Sequence, residues 1–453
     1  MTSQRSLCSA LLPVAIALLA GASAAQEPEA DASGPVLTQI LGTCLDYVGR
    51  PAEPAAIEQA LTDLSGHGFS QSWDASPAPW TRGLLENQEQ LSYCRQMATR
   101  LAQHGMGSVF AFPWSCLLPI EPGADQLVWL GETLDPSTGA LLVNPESPKW
   151  NFGSAEARAA FAARSRALFE AAGPFDMYLC DEQIMASPGG NSPHVNRMST
   201  YWTSPTYSRE ALGTIEAPGS FRHYLATVGY PGAATARFPV TTVAVEASPR
   251  ANMGLPAVPL DDANSDRLQA DNDWPDSALW RHWYEWRTDV YRDWVDAVTT
   301  AAHDVWGDGR GWQGCAVSDP YYWYDPALGL DLDKIAGVPH VDYVVAGYYS
   351  GTNFGAVKAA ALKHGKRWGG MVELSHYGAR EGVAPQAIID TFRANVEAGA
   401  SLMLAYAGAN FRTDRATPED TGAYYMPAQV AAWDECIRWL QEGRGVRRVA
   451  PKP

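Results

Sequence analysis

Charge is scarce in this sequence of 453 residues and it is lopsided. Only 18% of residues are charged, with 33 Lys and Arg against 50 Asp and Glu, a formal net charge of -17. That balance excludes nucleic acid and anionic membrane surfaces as main partners, because both demand a basic face. Cysteine is sparse as well, at 7, with no CxxC spacing and no His/Cys cluster of the kind that holds zinc. Beyond the N-terminus no apolar run is long enough to cross a bilayer, so no membrane insertion is expected. A Gly-rich phosphate loop is also missing after the first strand-like run, where "LDYVGRPAEP" stands instead. No cofactor and no metal are implied.

What is present is apolar and aromatic. Hydrophobic residues make up 46%, enough for a large core and too many for a disordered chain. Trp and Tyr are plentiful, at 17 and 19. Most such rings serve a core, although flat apolar faces also suit sugar rings. At the N-terminus, "MTSQRSLCSALLPVAIALLAGASAAQEPEA" combines one Arg, a short apolar stretch and small residues. It reads as a signal peptide over 1–25 followed by a flexible linker over 26–35, which makes the mature protein secreted or periplasmic. Removal of Cys8 leaves six cysteines. An oxidising compartment permits disulfides among them without specifying a pairing, while Cys44, Cys180 and Cys315 sit in apolar runs and read as buried thiols.

Short β-rich runs alternate with amphipathic helical stretches eight times. The strand candidates are "QILGTCLDY" (39–47), "GFSQSWD" (68–74), "GSVFAFPW" (107–114) and "DMYLCDE" (176–182). They continue with "QGCAVSD" (313–319), "DYVVAGYY" (342–349), "WGGMVEL" (368–374) and "SLMLAYAG" (401–408). Strand and helix repeated eight times predict an α/β fold, a (β/α)8 TIM barrel over 36–453. Between the fourth strand and its helix lies an insertion, about 183–277, too long for a plain connection. Its "STYWTSPTY" mixes aromatics with hydroxyls, so Tyr201, Trp202 and Tyr207 are expected to wall the barrel mouth.

Chemistry in such barrels sits at the C-terminal ends of the strands. The residues there are Asp46, Trp73, Asp74, Trp114, Asp181, Glu182, Asp319, Tyr348, Tyr349, Glu373 and His376. This rim is acidic and aromatic with little Lys or Arg, which disfavours phosphates and carboxylates and favours neutral sugars, an oligo- or polysaccharide substrate. Glycoside cleavage needs one protonated carboxyl for the leaving oxygen and one ionised carboxyl to attack or to activate water. Strands 4 and 7 face one another across a barrel, so Glu182 and Glu373 form the catalytic pair. Their carboxyls are expected roughly 5 to 5.5 Å apart, the spacing of retaining enzymes. Asp46, Asp74, Asp181, Asp319, Tyr348 and His376 are candidate substrate contacts or supports. Trp73, Trp114, Trp202 and Trp283 are candidate stacking platforms.

On these motifs the sequence resembles glycoside hydrolase clan A, and within it the catalytic barrel of family 42, the β-galactosidases. The approach "LLVNPESPKWNFGSAEARAAFAARSRALFEAAGPFDMYLCDE", the helix "GSFRHYLATVGY" and the strand "GGMVELSHYG" carry the likeness. The resemblance implies an acid/base role for Glu182 and a nucleophile role for Glu373. Two departures stand beside it. Clan members place Asn before the acid/base, where this sequence has Asp181, and family 42 enzymes carry further domains after the barrel, whereas this sequence stops at "VRRVAPKP". Two rival readings follow. One is an α-galactosidase-like barrel with Asp181 as nucleophile, and the other is a catalytically silent carbohydrate-binding barrel. A chitinase-like pattern fails because position 180 is Cys.

Overall fold

Short runs of two to seven residues, most of them apolar and rich in Val, Leu, Ile and Tyr, form the strands of a closed sheet. In a computed structural model the described residues are 34–41, 54–76, 82–112, 114–134, 141–143, 149–180, 207–240, 266–270, 277–307, 312–316, 330–347, 352–375, 382–406, 411, 425–443 and 445. The barrel strands are β1 (Leu37–Leu41), β2 (Gln71–Ser72), β3 (Gly107–Ala111) and β4 (Met177–Cys180). They continue with β5 (Trp312–Ala316), β6 (Val341–Ala346), β7 (Arg367–Glu373) and β8 (Leu402–Tyr406). Every neighbouring pair is parallel, and β1 closes the ring by pairing with both β2 and β8. The fold is the predicted (β/α)8 barrel. Strand starts shift by up to three residues: the first strand begins at Leu37, two residues before the predicted start, and the second at Gln71, three after it.

Each strand is followed by a helix: α1 (Pro54–Gly66), α2 (Gln88–Gln103), α3 (Ala155–Ala172), α4 (Ala278–Trp306), α5 (Leu332–Ala336), α6 (Gly355–Lys363), α7 (Pro385–Glu397) and α8 (Pro427–Gly443). Side chains that accept from free backbone N–H groups start several of them, with Asn87 capping α2, Ser154 α3, Ser277 α4 and Asp331 α5. No helix among the described residues is long and apolar enough to cross a membrane.

Strand alternation divides the core in two. Leu37, Trp73, Val109, Ala111, Met177, Leu179, Tyr343, Val345, Met371, Leu402 and Leu404 pack together inside the barrel. The opposite faces join the helices in a much larger outer core. That outer core is strongly aromatic between β3, α3 and α4, where Trp114, Phe152, Phe161 and Trp294 stack on one another. Their buried indoles are satisfied: Trp114 Nε1 donates to Tyr178 Oη at 2.9 Å, Trp150 Nε1 to the Trp114 carbonyl at 2.7 Å and Trp294 Nε1 to the Phe152 carbonyl at 3.1 Å.

The paired glycines in "WGGMVEL" have a packing reason. A Cβ on Gly370 would lie 2.1 Å from Asn395 Oδ1 on α7, and one on Gly369 would lie 2.9 Å from the Leu402 carbonyl oxygen. Only glycine lets α7 and β8 approach β7 this closely, and that approach holds the strand that ends in Glu373.

Candidate active site

Glu373 is the last residue of β7 and is half-buried at the C-terminal rim. Alternation puts it on the same inward face as Met371, one layer above it. Its register partner on β8 is Tyr406, which packs against the interior cluster, and Tyr406 is in turn aligned with Leu41 on β1. Trp73 reaches the same interior from the end of β2, at 8% exposure. Glu373 and Trp73 therefore stand at the same rim of the interior on strands three steps apart around the ring, with Tyr406 beside Glu373.

Other sequence candidates prove to be structural. Asp74 follows Trp73 and turns the other way, onto the outer face. It is buried, accepts from Ser72 Oγ at 2.6 Å, and its charge helps hold the Tyr93 phenol above its ordinary range, though burial is the larger cause. Asp74 is therefore a support between β2 and α2, not a substrate contact. Trp114 is 2% exposed inside the aromatic stack, so it is a core residue and not a sugar platform. Trp283 is fully buried on α4, where the Arg287 guanidinium lies 4.1 Å from its ring centroid. It too is removed from the platform candidates. Glu182, Asp181, Asp46, Asp319, Tyr348, Tyr349, His376, Tyr201 and Trp202 lie outside the described residues.

The described part of the insertion packs outward from the barrel axis. Phe221 meets Trp286 of α4 at 5.4 Å, and Trp286 Nε1 donates to the Gly219 carbonyl at 2.8 Å. Ser208 Oγ donates to Asn151 Oδ1 at 2.8 Å, and Ala211 sits so close to Gly153 that a Cβ there would collide. Tyr207 is buried against Phe238 and Trp283, at 5.1 and 5.6 Å between centroids. The expectation that Tyr207 lines the mouth is therefore corrected, because its ring is used to seat the insertion on α4.

Two polar residues inside the barrel lie within strands, away from the strand-end candidates. Gln39 on β1 and Gln71 on β2 are 0% and 3% exposed. Among the described residues, both amide atoms of Gln39, Gln71 Oε1 and Trp73 Nε1 are buried with no hydrogen-bond partner. A glutamine inside "LTQIL" or "SQSW" was the available signal, since a buried amide on an inward strand position must hydrogen-bond to something.

Beside α3, the Lys149 ammonium is buried and desolvation pushes its pKa down to about 7. The unfolded chain keeps its proton to near pH 10.5. Between pH 7 and 9 the unfolded state therefore binds more protons at this site, and stability rises with pH. Thermal melts across that window are expected to show a rising Tm, flattened in Lys149→Met. An equal slope in both proteins would remove Lys149 as its cause. Cys94, Cys116 and Cys436 are buried thiols outside any disulfide, and burial pushes Cys94 and Cys436 up to about 12. No group of three or more His, Cys, Asp or Glu able to hold a metal occurs among the described residues.

The architecture is shared with solved glycoside hydrolases. The catalytic domain of β-amylase from Paenibacillus polymyxa aligns with a TM-score of 0.53 at 14% identity, over 90% of this chain and 98% of that one. The β-galactosidase of the psychrophilic Marinomonas ef1 aligns with a TM-score of 0.53 at 13% identity, over 91% of this chain and 61% of that one. No family model matches the sequence, and no curated protein does. At these identities the likeness is one of fold.

Proposed function

We propose that this protein is a retaining β-glycosidase of the clan A type, β-galactosidase-like, exported by a signal peptide over 1–25 to the periplasm or the medium. The observation that carries the reading is Glu373: an inward-facing, half-buried carboxylate on the last residue of β7 of a closed eight-stranded parallel barrel. Two strands, β5 and β6, separate β7 from β4 on one side of the ring, and four on the other, so β4 and β7 stand nearly opposite. Glu182 follows Cys180, the last residue of β4, by two positions, a reach of at most about 7 Å along the chain.

In this mechanism Glu182 protonates the glycosidic oxygen as Glu373 attacks the anomeric carbon, and the leaving alcohol departs. Glu182, now ionised, takes a proton from water, which displaces Glu373 and regenerates both carboxyls. Proximity of two carboxyls separates their pKa values and provides the protonated and ionised forms together. The fold likeness to a β-galactosidase and the family 42 motifs support the β-linked choice. A panel of aryl β- and α-glycosides, with product anomers followed by NMR, tests it. β-Glycoside turnover with retention is expected; turnover of α-glycosides alone, or of none, would contradict the proposal.

A further inference from the structure

Gln39 and Gln71 are Cα partners in the β1–β2 pairing, so their side chains leave adjacent strands side by side, about 4.8 Å apart at the backbone. Both share the inward face with Leu37 and Trp73. Trp73 lies one layer above Gln71, about 7 Å up the same strand. Four polar atoms on this patch are buried without a partner: Gln39 Oε1 and Nε2, Gln71 Oε1 and Trp73 Nε1. Leaving such atoms unsatisfied is costly, so a cluster of them inside an apolar barrel marks a place where a polar guest belongs. Register sets the guest's position. Leu41, two residues above Gln39, aligns with Tyr406 and then with Glu373. Glu373 is thus one layer higher and two strands along the wall, roughly 10 Å away, a gap that a sugar ring with its hydroxyls bridges.

We propose that Gln39 and Gln71 form the hydroxyl-reading floor of the sugar site, with Trp73 on its wall one layer higher, selecting a neutral glycone by hydrogen bonds beside and beneath the bond attacked by Glu373. This rests on the glycosidase reading. Chemistry favours hydroxyls over other ligand groups. An amide offers donors and an acceptor, and whichever way each is turned, the pair with the indole N–H presents both kinds. A hydroxyl both donates and accepts, so it matches such a mixed wall. A carboxylate or phosphate only accepts, so against the amide oxygens of this wall it would set lone pair against lone pair. The floor therefore discriminates against uronic acids and sugar phosphates as well as against deoxy sugars.

The test compares the wild type with the Gln39→Leu/Gln71→Leu double variant on an aryl β-glycoside and its monodeoxy analogues. Melting temperatures are recorded for both proteins, and calorimetry follows binding of the free neutral monosaccharide. The wild type is expected to prefer the parent over one deoxy analogue by on the order of 10²-fold or more. In the double variant kcat/KM for the parent falls by a similar factor, the preference collapses toward one, and Tm holds or rises because orphaned polar atoms are gone. Trp73→Phe, which keeps the ring and removes the N–H, reproduces part of the loss. Unchanged kcat/KM and unchanged preference would overturn the proposal, since the amides would then hold only structural water. Sugar binding without turnover in the wild type, lost in the double variant, would keep the floor and reject the hydrolase reading. Neither turnover nor binding would reject both.

Discussion

Glu373→Ala is expected to lower kcat on an activated aryl β-glycoside by on the order of 10⁴-fold or more, as loss of a covalent nucleophile does. The fold should survive, because the side chain is half-buried at a rim and not part of the packed interior. Removal of the carboxylate leaves a space on the face of the sugar where attack occurs. Azide can enter that space and attack the anomeric carbon directly, forming a glycosyl azide of inverted configuration. Restoration of turnover by azide in Glu373→Ala, with that product seen by NMR, is the expected result. Rescue in Asp181→Ala and none in Glu373→Ala would move the nucleophile to the end of β4.

Trp114→Ala should act on stability and leave the chemistry alone. The ring is 2% exposed, stacks 5.7 Å from Phe152 and 5.6 Å from Tyr291, and donates to Tyr178 Oη at 2.9 Å. Deleting it opens a cavity between α3, α4 and the barrel and withdraws a donor from a buried phenol. Truncation of a buried Trp typically costs about 3–5 kcal/mol, measurable by denaturant unfolding. KM of the folded fraction should be unchanged. A raised KM with full stability would return Trp114 to the substrate wall.

The barrel was legible because its signal is repeated: eight apolar runs alternating with helical patterns, each now a strand of the closed sheet. Individual side chains were harder to read, for reasons visible at particular positions. "SWD" ends a two-residue strand, and reading by position admitted Trp73 and Asp74 together, although alternation sends one inward and the other onto Ser72. Tryptophans on α4 carried no direction at all. That helix has one broad buried face, covered by the insertion as well as by the rest of the fold, so a Trp on that face reads the same whether it is core or lies beside the mouth. Tyr207 failed for the same reason, since an aromatic among hydroxyls looks alike whether it meets a sugar or seats a loop on Trp283. Gln39 and Gln71 carry no strand-end signal, because these amides lie within the strands and are neutral. Glu373 was singled out by its place at a strand terminus across the barrel from β4, and the structure adds that its register is inward.

Covalent trapping tests the central claim most directly. A 2-deoxy-2-fluoro β-glycoside with a good leaving group slows hydrolysis of the glycosyl-enzyme intermediate, so the sugar stays on the residue that attacked. Trypsin cleaves after Arg367 and Arg380 and releases residues 368–380, "WGGMVELSHYGAR", whose one side-chain carboxylate is Glu373. Mass spectrometry of the inactivated protein is predicted to find the fluorosugar on this peptide. The same adduct on residues 167–197, which carry Asp181 and Glu182, would contradict the assignment of Glu373 as nucleophile.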